Sequence, residues 1–262
     1  MSTHFETVSP SPEDPYEKTV VESILDKSPS VKWNDLAGLS YAKKVLYESV
    51  ILPNQRPDLF TGLRAPPKGI LLFGPPGTGK TMIGKAVATE SKALFFSVSS
   101  STLTSKWVGE SEKIVRALFA VASKNQPAII FIDEIDSILT ARSENENEGS
   151  RRLKTEFMIQ LDGATTNGEE RVLIIGATNR PFELDDAVIR RLSRRIYIPL
   201  PDKQTRFELL TILLKGQNVN LSEEDVSRIL ELTAHYSGSD LKVLCKEAAM
   251  GPVDGSAPRS DG

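Results

Sequence analysis

The eight residues Gly74-Pro75-Pro76-Gly77-Thr78-Gly79-Lys80-Thr81 constrain this chain more than any other feature. They fill each fixed position of the pattern GxxxxGK[ST], with an apolar run (GILLF) directly before and an amphipathic stretch (TMIGKAVATES) directly after. A glycine-rich turn between a buried strand and a helix lets successive backbone N–H groups converge without a Cβ in the way. The positive end of the following helix faces the same point. Such a turn suits the phosphates of a nucleotide. Lys80 is placed to reach the β and γ phosphates, and the Thr81 hydroxyl to act as a ligand of Mg²⁺.

The rest of the chain supplies the frame that this turn requires. Short apolar runs at Gly69–Phe73, Leu94–Val98, Ala128–Ile132, Val172–Ala177 and Arg195–Leu200 alternate with longer stretches of helical period. That alternation is the signature of a parallel α/β sheet. Ile114, Val115, Leu118, Phe119 and Ala122 fall on one helical stripe, and Leu153, Phe157, Met158 and Leu161 on another. After Pro201 the strands stop, and Phe207–Leu214, Glu223–Leu232 and Asp240–Ala249 read as helices. The expected fold is therefore an α/β P-loop NTPase sheet sandwiched by helices over residues 31–201, followed by a small helical subdomain over 202–253. Residues 1–30, with SPSPEDP and KSPS, read as a mobile leader holding at most a short helix over Tyr16 to Asp26. The last residues, 254–262, read as a disordered tail.

Composition narrows the partners. At 262 residues and 39% apolar, the chain is long enough to bury a sizeable core. Its net charge of −3 provides no global basic field, so neither nucleic acid nor an anionic membrane is expected as a direct partner. No apolar run approaches the ~18 residues of a membrane span. The single cysteine, Cys245, excludes an intrachain disulfide framework and fits a reducing, intracellular compartment. Cys245 itself reads as a small buried hydrophobe, and His4 and His235 match no metal spacing.

Three further groups carry candidate chemistry. The apolar run Ile129–Ile132 leads straight into Asp133-Glu134, which places two acids at the carboxyl end of a buried strand, where open α/β sheets bind ligands. Asp133 would join Thr81 in the Mg²⁺ shell, and Glu134 would polarise an attacking water as general base. Asp136 reads as a capping or structural acid. Asn179 follows the run Val172–Ala177 and is suited to orient the same water, although Asn before a Pro-containing turn is also ordinary turn chemistry. Finally, Arg190-Arg191-Leu192-Ser193-Arg194-Arg195 holds four cations in six residues. Such a cluster suits a solvated face equally well, but an arginine aimed at γ-phosphate oxygens stabilises phosphoryl transfer. Its distance in sequence from the phosphate loop points to action on a neighbouring subunit.

With these pieces in order, the chain resembles the AAA ATPases over roughly residues 31–253. The phrases WNDLAGL, LFTGLRAPPKGILLFGPPGTGKT, LTSKWVGESEKIVRALF, SRRLKTEF, GATNRPFELDDAVIRR and YSGSDLKVLCKEAAMGP resemble the branch that holds spastin, fidgetin and katanin, whose members mostly sever microtubules. ATPases that disassemble ESCRT filaments are close by. The resemblance implies an adenine pocket lined by Ala37 and phosphates wrapped by Gly77 to Met82. It makes Asn179 the first sensor, Arg190 and Arg191 the paired arginine fingers, and Gly238, Ser239 and Asp240 the start of the helical lid. It also implies two pore loops, Lys106-Trp107-Val108 and the region from Asn147 to Arg152, which includes Arg151. Lys106, Arg151, Arg152 and Lys154 would give the pore a positive lining for an acidic tubulin tail, although the last three also suit a solvated helix face. A homo-hexamer, or a ring mixed with related subunits, gripping a peptide follows, with a cytoplasmic, cytoskeletal setting and the nucleus as an alternative. Family members continue past AAMGP into further helices. The lid is thus expected to be incomplete, and weakened assembly or poor hydrolysis is an alternative expectation.

Overall fold

The computed structural model describes residues 14–26, 29–99, 110–140, 148–166, 171–217 and 219–254. Among these, six strands form one sheet: β1 (Leu25–Asp26), β2 (Gly69–Phe73), β3 (Leu94–Ser99), β4 (Ala128–Asp133), β5 (Val172–Thr178) and β6 (Arg194–Tyr197). Their spatial order is β1-β3-β4-β5-β2-β6. The five longer strands run parallel, and β1 adds antiparallel to the edge of β3. The apolar runs of the sequence become strands with ends shifted by a residue or so, except for the last. There the strand expected to reach Leu200 closes at Tyr197. Ile198 still donates its N–H to Phe73 O at 2.8 Å, but β2 then turns away into the phosphate loop and Pro199 brings no N–H for a further rung.

Helices cover both faces. On one side lie α2 (Ser40–Leu46), α3 (Leu52–Gln55) and α4 (Lys80–Ser91); on the other are α5 (Ser111–Lys124), α6 (Asp136–Leu139), α7 (Glu148–Thr166) and α8 (Asp186–Arg191). The alternation within β2 shows why two layers are needed: Leu71 packs into the core with α5 and α7, while Ile70 and Leu72 pack into the core with α2 and α4. The predicted stripe of Ile114, Val115, Leu118, Phe119 and Ala122 is buried, as are Leu153, Phe157 and Leu161. Past the sheet, α9 (Lys203–Leu214), α10 (Glu223–Leu232) and α11 (Gly238–Asp254) enclose a small core of their own around Leu210, Leu230 and Leu241. Cys245 packs half-buried against it, and burial pushes its thiol pKa up. Among the described residues, no helix is long and apolar enough to cross a membrane.

Within the segment read as a leader the short helix expected between Tyr16 and Asp26 is present, but it is packed on the core and not free. Pro15–Ser23 forms helix α1, capped by the Asp14 side chain, and β1 follows it. Val20, Val21 and Ile24 sit in the same core as α5. Their spacing of four puts Val20 and Ile24 on one face, and Pro15 takes the first helical position, where its missing N–H leaves no hydrogen bond unmade. The nearly buried Glu17 carboxylate pairs with Lys124 at 2.5 Å, and the Tyr16 hydroxyl donates to Glu110 at 2.7 Å.

Candidate nucleotide site

The candidate residues gather because β4, β5 and β2 are neighbours and all point the same way. Phe73 pairs with Thr178 and Ile132 with Gly176, so the phosphate loop, the Asp133-Glu134 pair and Asn179 leave adjacent carboxyl ends. The loop itself is tied down by Gly74 N–H donating to Thr178 O at 3.3 Å. Gly74 and Gly77 have φ of +150° and +72°, and a Cβ would lie 2.1 Å from Ile198 O at the first and 2.6 Å from Ser237 Oγ at the second. Both the conformation and the close approach require glycine there.

Lys80 opens α4 with its stem buried. Its ammonium donates to Gly74 O at 2.9 Å and Pro75 O at 2.7 Å, so it closes the loop upon itself. Burial depresses its pKa, and the nearby Asp133 carboxylate partly offsets this. One residue on, Thr81 Oγ1 donates to Asp133 Oδ2 at 2.7 Å. A hydroxyl and a carboxylate in contact form a hard oxygen pair that suits Mg²⁺ with its remaining positions left to water and phosphate. Beyond them Glu134 is exposed and has φ +50°, a left-handed conformation that costs a non-glycine residue about 1–3 kcal/mol. Its N–H donates to Asp133 Oδ1, and its carbonyl accepts from Ser137 N–H and Oγ–H. The backbone thus turns sharply at the strand end, and no sequence signal announces it.

Asn179 is exposed at the end of β5. What fixes its neighbourhood is the preceding residue, which sequence reading passes over. The buried Thr178 hydroxyl donates to Asp136 Oδ1 at 2.5 Å and accepts from Arg180 N–H at 2.8 Å. Asp136 is therefore structural, as expected, with a defined partner.

The helical subdomain closes over the loop. Ser239 N–H donates to Gly77 O at 3.2 Å, and a Cβ on Gly238 would lie 3.4 Å from the same carbonyl. Ser237 caps α11: its Oγ accepts from Asp240 N–H, and Asp240 Oδ2 accepts in return from Ser237 N–H and Oγ–H. Those bonds from Ser237 hold the Asp240 carboxyl below its ordinary pKa. Beside α9, Ala37 is buried in a turn whose Gly38 N–H donates to Glu208 Oε2 at 2.9 Å. Met82, in the first turn of α4, stays exposed.

Comparison with known proteins agrees with this arrangement. Residues 70–200 match the ATPase family associated with various cellular activities (AAA), and residues 223–256 match the AAA+ lid domain. The chain belongs to the AAA family. It is 62% identical over 234 residues to spastin of Dictyostelium discoideum, and 56% identical over 234 residues to fidgetin-like protein 1 of Homo sapiens. Each alignment covers 89% of this chain but 36% and 35% of the relative, so the chain spans about a third of their length. A crystal structure of the FIGL-1 AAA domain in complex with ADP superposes with a TM-score of 0.86 at 52% identity, over 96% of this chain and 83% of that one. A structure described as the basis for katanin self-assembly superposes with a TM-score of 0.81 at 40% identity, over 95% and 81% of the two chains.

Within this AAA module the arginines lie away from the loop. A Cβ on Gly69, the first residue of β2, would sit 2.6 Å from Arg191 O. Helix α8 thus ends at the amino end of β2, roughly 16 Å along the strand from the phosphate loop. The two residues are also unlike each other. Arg191 is held by both Asp162 oxygens at 2.6 Å and by Ala187 O, whereas Arg190 is exposed and lines an open depression with Asp186, Ile189, Ser193 and Arg195.

Lys106, Trp107, Val108 and Asn147 lie outside the described residues. Arg151 and Arg152 are exposed on α7, with Arg152 paired to Glu148 one turn away. Lys154 corrects the sequence reading. It is buried, donates to Thr140 O and pairs with Asp185 at 3.2 Å. A cation so enclosed fastens α7 to the turn before α8 and belongs to no positive lining.

Proposed function

We propose that this AAA chain binds ATP with Mg²⁺, hydrolyses it, and works as one subunit of a ring that pulls on a protein. The contact between Thr81 and Asp133 carries the reading, since it brings a hydroxyl and a carboxylate together beside Lys80 and one residue before Glu134. The glycines of the loop leave room for phosphate, and Lys80, already turned inward, exchanges loop carbonyls for phosphate oxygens. Thr81 and Asp133 would hold Mg²⁺, which supplies charge neutralisation at the β and γ phosphates. Glu134 accepts a proton from the attacking water, and Asn179, steadied through Thr178, orients that water. Arg190 approaches the γ-phosphate of a neighbouring subunit, a role supported by its place at the far end of β2 and its exposure. Arg191 keeps α8 in place through Asp162.

The substrate we favour is an acidic peptide such as a tubulin tail, gripped in the centre of a hexamer. Likeness to spastin and to self-assembling katanin supports this, as do the exposed Arg151 and Arg152. The same reading places the protein in the cytoplasm, in association with the cytoskeleton. ATP turnover per subunit, followed against protein concentration with and without microtubules, tests it. The expected rate climbs with concentration, rises again on microtubules and vanishes in Glu134→Gln. A flat rate equal to that of Glu134→Gln, with ATP bound, would overturn the hydrolytic part.

A further inference from the structure

We propose that Glu208 is a positioning residue for nucleotide, a latch through which lid helix α9 holds the turn at residues 36–39. The inference rests on the nucleotide-binding reading above. The turn is unusual in its backbone, because Gly38 and Leu39 are both left-handed, with φ +56° and +57°. Leu39 has no glycine's freedom, so the turn stays in this shape only where its surroundings fix it. Three contacts do so. Glu208 Oε2 accepts the Gly38 N–H at 2.9 Å. Thr205, one turn earlier on α9, occupies the space beside Gly38, where a Cβ would meet its Oγ1 at 2.4 Å. Lys43 donates to Leu36 O at 2.5 Å and faces the Glu208 carboxylate, whose charge partly offsets the cost of burying the ammonium.

The same face of the helix also reaches toward the phosphate loop. Leu209 lies against Gly238, which sits over Gly77 O. Residues 205 to 209 of α9 therefore touch the turn and, through Gly238, the loop, within about one helical turn. On the nucleotide-binding reading the phosphates take the loop, and the turn with its buried Ala37, about one helical turn of α9 away, is where the nucleoside would lie. Glu208 thus couples lid closure to the nucleoside end of the site and leaves the phosphate end alone.

Affinities for ADP and for inorganic pyrophosphate, measured on the full chain and on Glu208→Ala and Glu208→Gln, test the latch. Loss of one charge-assisted hydrogen bond predicts ADP binding weakened about tenfold in Glu208→Ala. Pyrophosphate affinity stays level, and Glu208→Gln, which keeps an acceptor oxygen, recovers most of the ADP loss. Unchanged ADP affinity in Glu208→Ala overturns the latch alone, as does an equal loss for both ligands, which marks general damage to the lid. A wild-type chain that binds neither ligand overturns the nucleotide reading and the latch with it.

Discussion

At the residue scale, one hydroxyl organises the end of β5. Thr178 joins Asp136 to the backbone of Arg180, and Asn179 is held between those two anchor points. Valine has nearly the same shape and neither polar function. Thr178→Val leaves a carboxylate oxygen and a backbone N–H without this partner, at a cost of about 1–3 kcal/mol. Part of that cost is expected at Asn179 rather than in the fold. ATP turnover should fall about tenfold while ADP affinity stays within about twofold. A parallel loss of ADP affinity would make Thr178 a support for the whole site. Sequence reading reaches Asn179 and Asp136 through their types and their places beside strands. It passes over Thr178 because a threonine ending a β-branched strand is unremarkable until its partner, 42 residues away, is known.

At the element scale, the start of α11 shows how a local signal acquires a remote task. Ser237 and Asp240 form a capping box, and the capped end then donates Ser239 N–H to Gly77 O. Ser237→Ala removes the cap and should cost about 1 kcal/mol of stability, read from the urea midpoint. The pH dependence has a definite sign. Asp240 has its pKa lowered in the folded chain by the Ser237 bonds, so its stabilisation is present above the unfolded value of about 3.9. It is lost as pH falls through the lower folded value. Asp240→Asn should flatten this acid-side contribution, and an unchanged slope of stability against pH between neutral and pH 3 would count against it. Strands and long helices are legible because their apolar periods are local. The contacts that assemble the site are not: Glu208 meets Gly38 across 170 residues, and Lys154 meets Asp185 only once α7 is folded against the turn. A lysine on a charged helix reads as solvated until that packing buries it.

At the scale of the whole molecule, residues 14–26 belong to the body that carries the site. Ile24 is buried against the core beneath β3 and β4, and its carbonyl accepts from Ser97 N–H at 2.9 Å. Ile24→Ala should therefore lower stability by about 2–5 kcal/mol in a single denaturant transition, whereas a loosely attached leader would show no change in midpoint. The prolines and serines of the leader draw attention away from the Val20 and Ile24 pair, whose spacing of four was visible all along. The same rigid sheet bears on the proposed catalysis between subunits. With the phosphate loop at one end of β2 and Arg190 at the other, one chain cannot bring both to a single γ-phosphate without unravelling the strand between them. Arg190→Ala and Glu134→Gln should each abolish turnover alone. Mixed, they should regain part of it, because a chain with Arg190→Ala keeps its own Glu134 and can receive Arg190 from a neighbour carrying Glu134→Gln. Arg191→Ala should behave differently: breaking its bond to Asp162 should lower the denaturation midpoint as well as the rate. If the mixture of Arg190→Ala and Glu134→Gln stays as inactive as its components while both still assemble, Arg190 does not act across a subunit boundary.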